Sequence, residues 1–249
     1  MYEQSFKKPG SVPASSVDVR SNSFLSKVYG YMAIGILISA VVAFLAALGF
    51  QAWFNASPSE TVYTTYIYVM IASFVGLIIT SVVISFISLK GKRSIIVPAI
   101  IYSVLMGVVF SEFVLFVDSY IVGTAFAITA MTFAIMYFIG KVAKNLSWVG
   151  NLGYGLFFGA MMMSLFFLLL YFVAPGALTP FAIILDSVIF VAILLITMFD
   201  VWRIQQIANR GAQSNNLALY CAFSLYVDFM YILMRLIFIL IRLFGSSRR

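Results

Sequence analysis

The chain has 249 residues, of which 63% are hydrophobic and only 9% are charged. Soluble globular domains carry about 25% charged residues, so this composition excludes a soluble protein and indicates a multi-pass membrane protein. The net charge of +7 does not indicate nucleic-acid binding, because no basic patch with interleaved aromatic residues lies outside the apolar runs. The absence of His and the single Cys, Cys221, exclude histidine-based metal sites, Ser-His and Cys-His catalytic pairs and an internal disulfide.

The N-terminal residues 1–22 are polar and rich in serine, and include Lys7 and Lys8. They lack the apolar content that would offset the entropic cost of ordering, so we expect a short disordered cytoplasmic tail. The first apolar run begins late and is too long for the apolar region of a signal peptide. We expect residues 23–249 to form a single transmembrane domain.

Seven apolar runs follow, each near or above the length of about 20 residues that crosses the hydrocarbon core of a bilayer. They cover residues 28–50, 66–89, 94–116, 120–139, 152–173, 181–201 and 217–244. Backbone groups that face lipid must satisfy their hydrogen bonds internally, so each run is predicted to be a helix. The predicted fold class is all-α, with seven transmembrane helices.

Basic residues lie in alternate connections between the runs, as the positive-inside rule requires of cytoplasmic loops. They are Lys90, Lys92 and Arg93 after the second run, Lys141 and Lys144 after the fourth, and Arg203 and Arg210 after the sixth. This pattern predicts a membrane protein with a cytoplasmic N-terminus. Seven crossings put the C-terminus outside, whereas Arg248 and Arg249 favour the inside, so a re-entrant last segment stays open as an alternative.

Acidic residues show the reverse distribution, because Glu60, Glu112, Asp118 and Asp186 all lie near the predicted outer ends. For Glu60 and Asp118 we favour ordinary solvated charge. Glu112 and Asp186 lie within apolar runs, and two interpretations stay open for them. They are either solvated charges or parts of an outer vestibule whose negative potential concentrates cations.

Glycines cluster in the fifth run. The segment Gly153-Tyr154-Gly155 is not a dinucleotide-binding fingerprint, because it follows no strand and lies in an apolar helix. We expect Gly155 and Gly159 to allow close helix packing instead.

The last run is unusual because it contains an acid, Asp228, and two bases, Arg235 and Arg242. A charge at the bilayer centre costs about 2.5–3.5 kcal/mol on insertion scales, so Asp228 should face a protein interior or a hydrated cavity. Asp200 lies at the inner end of the preceding run. If residues 203–216 connect two antiparallel helices, both acids project towards one seam, with Asp228 several ångström deeper.

Two carboxyl groups in a poorly hydrated site cannot both ionise at low cost, so Asp200 and Asp228 are expected to share a proton. Once deprotonated, the pair offers oxygen ligands suited to Ca²⁺, while a nearby Lys or Arg could pair with one acid and close the path. A purely structural aspartate pair stays open as an alternative. The sequences Phe199-Asp200 and Val227-Asp228 lack the Tyr-Asp and Gly-x-Gly-Asp motifs of an intramembrane aspartyl protease, so we expect no enzyme.

Several segments, taken in order, resemble the bacterial branch of the Bax inhibitor-1 family of membrane proteins. They are residues 24–33, residues 125–159 with Gly140 and Lys144-Asn145-Leu146-Ser147, Phe199-Asp200, residues 225–229 and residues 242–245. The resemblance implies a seven-helix fold with the last helix central. It also implies a pH-sensitive Ca²⁺ leak gated by an aspartate pair that matches Asp200 and Asp228.

The resemblance further implies a basic latch at the inner end of the second helix, for which Lys90, Lys92 and Arg93 are candidates. The sequence departs from the family in three places. The usual run of arginines is here Lys90-Gly91-Lys92-Arg93. Phe199 replaces a tyrosine, and Arg235 is a further candidate latch that could pair permanently with Asp228.

We therefore expect a pH-sensitive calcium leak channel without a cofactor, whose partners are the transported Ca²⁺ ion and the lipid bilayer. The competing expectation is a non-conducting regulator that binds membrane proteases or other membrane proteins in stress or quality control.

Overall fold

The computed structural model describes residues 14–56, 59–90, 94–173, 178–210 and 214–244, without the side chains of 14–20, 88–90, 167–173 and 178–183. Seven helices lie in these ranges, and the described residues contain no strand. The helices are α1 (Ala14–Ala56), α2 (Glu60–Lys90), α3 (Ile96–Phe116), α4 (Ser119–Val142), α5 (Ser147–Val173), α6 (Leu178–Asn209) and α7 (Asn215–Phe244). The predicted all-α, seven-helix fold is confirmed.

The first helix begins within the predicted disordered tail. Helix α1 starts at Ala14, so residues 14–22 are helical, and residues 1–13 lie outside the described part of the chain. Ser21 and Phe24 are buried, and the Ser21 hydroxyl donates a hydrogen bond to Asn209 Oδ1 at 3.1 Å. The polar start of α1 is therefore held by contact with the end of α6, a contact that the apolar pattern of the sequence does not reveal.

Six helices, α1 to α6, each contain a segment long and apolar enough to cross a membrane. Large apolar side chains cover their outward faces, and several are 64–66% exposed: Leu37, Tyr68, Ile78, Met131 and Phe138. Contiguous apolar surface of this extent is typical of contact with lipid rather than water. The chain is a multi-pass membrane protein.

Helix α7 is the central helix. Buried residues recur along it from Ala218 to Leu240, and it packs against α1, α4 and α6. Aromatic contacts extend to α3, where the rings of Tyr102 and Phe223 lie 5.0 Å apart. Helices α2 and α5 lie further out and pack mainly on α3 and α6.

A buried hydroxyl cluster joins α7 to α1 and α3. The Ser39 hydroxyl donates to the carbonyl oxygen of Ser103 at 2.8 Å and lies 2.6 Å from the hydroxyl of Tyr226. We call Ser39, Ser103 and Tyr226 the hydroxyl cluster. Such hydrogen bonds fix helix contacts in membranes, where an unpaired polar group has no water to bind.

Glycine allows α1 and α3 to cross closely. A Cβ atom at Gly107 would lie 2.7 Å from both the Ser39 carbonyl oxygen and the Val42 Cβ.

In α5 the close approaches are at Gly150, against the Phe199 ring, and at Gly153, against Ile196. The expectation of close packing at Gly155 and Gly159 is wrong, because no atom of the described residues lies within 4 Å of either Cβ position. The close glycine contacts of α5 with α6 lie nearer the start of α5.

We expect Gly107→Ala to destabilise the protein, because the added methyl group meets backbone and a β-branched side chain that cannot move aside. Overpacking of this kind costs about 1–3 kcal/mol. Gly123→Ala is the matched control, because its Cβ position in α4 is open. Thermal unfolding in detergent tests the difference, and equal melting temperatures for the two variants would contradict the close crossing.

Candidate functional site

The polar contacts between α6 and α7 follow one antiparallel seam. The Ser224 hydroxyl donates to Asp200 Oδ2 at 2.7 Å, and Thr197 of α6 lies beside Asp228 of α7. Further along, Asp186 contacts Arg235. Because each step back along α6 matches a step forward along α7, these contacts lie on one face of a helical hairpin. The structure thus brings Asp200 and Asp228, the acid pair, to the same seam.

Asp200 is nine-tenths buried, with 7% exposure. Its Oδ2 accepts the Ser224 hydrogen bond, whereas its Oδ1 is buried and has no hydrogen-bond partner among the described residues. A buried carboxyl oxygen without a partner is costly. Asp200 therefore has one oxygen available for a proton, a water molecule or a cation.

Asp228 lies deeper in the seam. It is four residues beyond Ser224, which corresponds to about 6 Å along the axis of α7. Its Oδ2 is also buried without a partner in the described part of the chain, and the neighbouring Thr197 is fully buried. Two ionised carboxylates in this poorly hydrated seam would repel each other.

A cavity of about 270 Å³ leads to Asp200 from the hairpin end, where α6 and α7 are connected. We call it the hairpin cavity, and it is lined by Asp200, Arg203, Ile204, Ile207, Leu217, Tyr220, Cys221 and Ser224. Arg203 is exposed at this end, while Asp200 and Cys221 are buried. The cavity provides a partly polar route to the first member of the acid pair.

An ion-pair triad closes the opposite end of the seam. Asp186 Oδ1 lies 2.7 Å from an Arg235 guanidinium nitrogen, and Asp186 Oδ2 lies 2.6 Å from one of Arg242. The carboxylate is 28% exposed, and the two arginine side chains are 29% and 51% exposed. One acid with two bases carries a net positive charge.

The triad corrects two expectations. Asp186 does not contribute negative potential to an outer vestibule, because two guanidinium groups bind it. Arg235 does not pair with Asp228, because seven residues separate them, about 10 Å along α7, and Arg235 lies level with Asp186 instead. Glu112 is exposed on α3, and its role in a vestibule stays a prediction.

The remaining latch candidates cannot be placed against the acid pair. Lys90 is the last residue of α2, with a side chain outside the described part of the chain, and Lys92 and Arg93 are outside the described residues altogether.

Sequence reasoning missed the two hydroxyl groups of the site. Thr197 precedes Asp200 by three residues and Ser224 precedes Asp228 by four, so each hydroxyl shares a helix face with the acid of its own helix. Each one contacts the acid of the other helix. The i, i+3 and i, i+4 spacing of hydroxyl and acid on both helices was the available signal.

The acid pair alone offers too few ligands for a stable metal centre. Among the residues that the structure describes, no three His, Cys, Asp or Glu side chains form a group suited to a metal ion. A cation at the pair would take further oxygen ligands from the Ser224 and Thr197 hydroxyls, from backbone carbonyls or from water, all of which suit Ca²⁺.

Comparison with known proteins gives three matches over nearly the whole chain. A family model described as inhibitor of apoptosis-promoting Bax1 matches residues 21–248. The chain is 27% identical to the inner membrane protein YbhL of Escherichia coli over 238 residues, which covers 91% of this chain and 92% of YbhL. It is 26% identical over 229 residues to the uncharacterized protein YrjE of Lactococcus lactis, with 91% and 92% of the two chains covered. No solved structure matches.

Proposed function

The chain belongs to the Bax inhibitor-1 family, and from this membership we propose that it is a pH-sensitive calcium leak channel gated by Asp200 and Asp228. The observation that carries the proposal is the acid pair itself. Each carboxyl group has one oxygen near a hydroxyl of the other helix and one buried oxygen without a partner among the described residues. No ion pair within the described ranges neutralises either acid. The two arginines of α7 bind Asp186 instead.

The hydroxyl contacts support one shared proton and indicate where it resides. The Ser224 hydroxyl donates its hydrogen to Asp200, which suits an ionised carboxylate. The Thr197 hydroxyl, which lies beside Asp228, donates to the Ile193 carbonyl oxygen at 2.8 Å. Asp228 therefore lacks the donated hydrogen bond that stabilises an ionised Asp200, and we infer that Asp228 holds the shared proton. The proposed resting state therefore has Asp228 protonated and Asp200 ionised.

Loss of this proton prepares the site for Ca²⁺. Two carboxylates close together in a poorly hydrated seam repel each other, and a divalent cation between them relieves the repulsion. Ca²⁺ accepts six to eight oxygen ligands in flexible geometry, which the acid pair, its hydroxyls and water supply in part. Flux is therefore expected to rise as the pH rises through the titration of the pair.

The proposed resting state is closed beyond Asp228. Ile232 on α7 and Ala192 on α6 are both fully buried, and they lie at corresponding levels of the hairpin, between the acid pair and the ion-pair triad. An ion can pass only if the two helices separate at this apolar stretch. We propose that ionisation of the pair favours that separation.

The proposed location is the bacterial plasma membrane, with the hairpin end and the N-terminus on the cytoplasmic side. The basic residues of alternate connections support this orientation, and the similar YbhL is named as an inner membrane protein. Ca²⁺ is the transported ion, and the proposal includes neither a cofactor nor an enzymatic activity.

Calcium flux through the purified protein in liposomes tests the proposal. We expect flux that increases from about pH 5 to about pH 8, because a proton shared by two carboxyl groups in a poorly hydrated seam is lost nearer to neutral pH than the proton of a solvated carboxyl group. Empty liposomes are the control. A protein that passes no Ca²⁺ at any pH would contradict the channel and favour a regulator that acts by binding other membrane proteins.

A further inference from the structure

The hairpin cavity contains a positive charge beside the acid pair. Arg203 lies three residues after Asp200 on α6, within about 60° of the same helix face and about 4.5 Å closer to the hairpin end. Both side chains line the cavity, and Arg203 is exposed while Asp200 is buried. An ion that moves between Asp200 and the hairpin end must pass this guanidinium.

Arg203 forms no ion pair within the ranges that the structure describes. It lines the same cavity as Asp200. The two arginines of α7, in contrast, are bound to Asp186. A guanidinium remains charged at every physiological pH, so Arg203 places a constant positive potential in the mouth of the cavity.

We propose that Arg203 is a specificity-determining residue that slows cations at the hairpin mouth in proportion to their charge. The inference rests on the proposed function, because it treats the cavity as part of the ion path. The energy of an ion in the potential of Arg203 is proportional to the charge of the ion. A divalent cation therefore meets twice the electrostatic barrier that a monovalent cation meets, and the residue keeps a Ca²⁺ leak small.

The proportionality gives a quantitative test in liposomes at one fixed pH. Arg203→Gln is expected to raise flux of a monovalent cation on the order of threefold and flux of Ca²⁺ by the square of that factor, on the order of tenfold, at low ionic strength. Arg203→Lys retains the charge and should behave like the unmodified protein. Arg210→Gln is the matched control, because it removes the same charge beyond α6, outside the cavity lining.

A second readout does not depend on conduction. Cys221 is the single cysteine of the chain and lines the same cavity, so it reports the local potential through its reaction with thiol reagents of equal size and opposite charge. We expect Arg203→Gln to increase the ratio of cationic to anionic labelling rates on the order of tenfold. Taking the ratio cancels changes in the intrinsic reactivity of the thiol.

The outcomes separate this inference from the proposed function. An unchanged labelling ratio, equal factors for monovalent and divalent flux, or failure of Arg203→Lys to restore the original values would overturn the role of Arg203. A changed labelling ratio in a protein that conducts no Ca²⁺ would support the potential of Arg203 while refuting the channel.

Discussion

Asp228→Asn is expected to abolish the pH dependence of Ca²⁺ flux and to hold flux at its low-pH level. The asparagine amide is uncharged, as a protonated carboxyl group is, so the variant imitates the proposed resting state. It also removes one of the two charged ligands for Ca²⁺, and the loss of one unit charge near the ion lowers flux about tenfold or more. Liposome flux over the same range of pH measures both effects.

Glu60→Gln is the matched control for this experiment. It removes an acid of the same charge from an exposed position at the start of α2, and its flux should keep the original pH dependence. Asp200→Asn should lose the pH dependence as Asp228→Asn does, because a shared proton needs both acids. A pH dependence that survives in Asp228→Asn would remove the acid pair from the mechanism.

Asp186→Asn is expected to raise flux at low pH and to lower the stability of the protein. The carboxylate is the common partner of Arg235 and Arg242. Its neutralisation removes the two ion pairs that connect α6 to α7 and leaves two guanidinium groups on α7 without a counter-charge. The site is partly exposed, so we expect a cost of about 1–3 kcal/mol, between the values for surface and buried ion pairs. Thermal unfolding in detergent and liposome flux at low pH measure the two consequences.

We expect the two arginines of the triad to contribute unequally to stability and to closure at low pH. Arg242→Gln leaves the more buried Arg235 pair intact, so its effects should be smaller than those of Arg235→Gln. If Arg235→Gln, Arg242→Gln and Asp186→Asn all leave stability and low-pH flux unchanged, the triad does not hold the seam closed.

The number of helices and the meeting of the two acids could be predicted from sequence, because both follow from local features. Long apolar runs must be helical in lipid, and a short connection makes α6 and α7 antiparallel. The partner of Arg235 could not be predicted in this way. Its identity depends on the register of α6 against α7, and a shift of one helical turn would place it near a different acid.

The helix faces that pack together could not be predicted from the sequence either. The spacing of Gly155 and Gly159 is typical of a helix contact, yet the contact with α6 uses Gly150 and Gly153. Small residues show which helix can approach another closely, but the choice of face depends on the whole bundle. The start of α1 at Ala14 could not be predicted either, because it depends on a contact with another helix. The Ser21 hydroxyl donates a hydrogen bond to Asn209 of α6.

The hydroxyl cluster indicates which helix stays fixed in the proposed gating. Tyr226 lies about 200° around α7 from Asp228, so the helix that presents an acid to α6 on one side is fastened to α1 and α3 on the other. In the proposed gating, α5, with Phe199 of α6 set against Gly150, moves together with α6. The central helix α7 is then the fixed element against which α5 and α6 move.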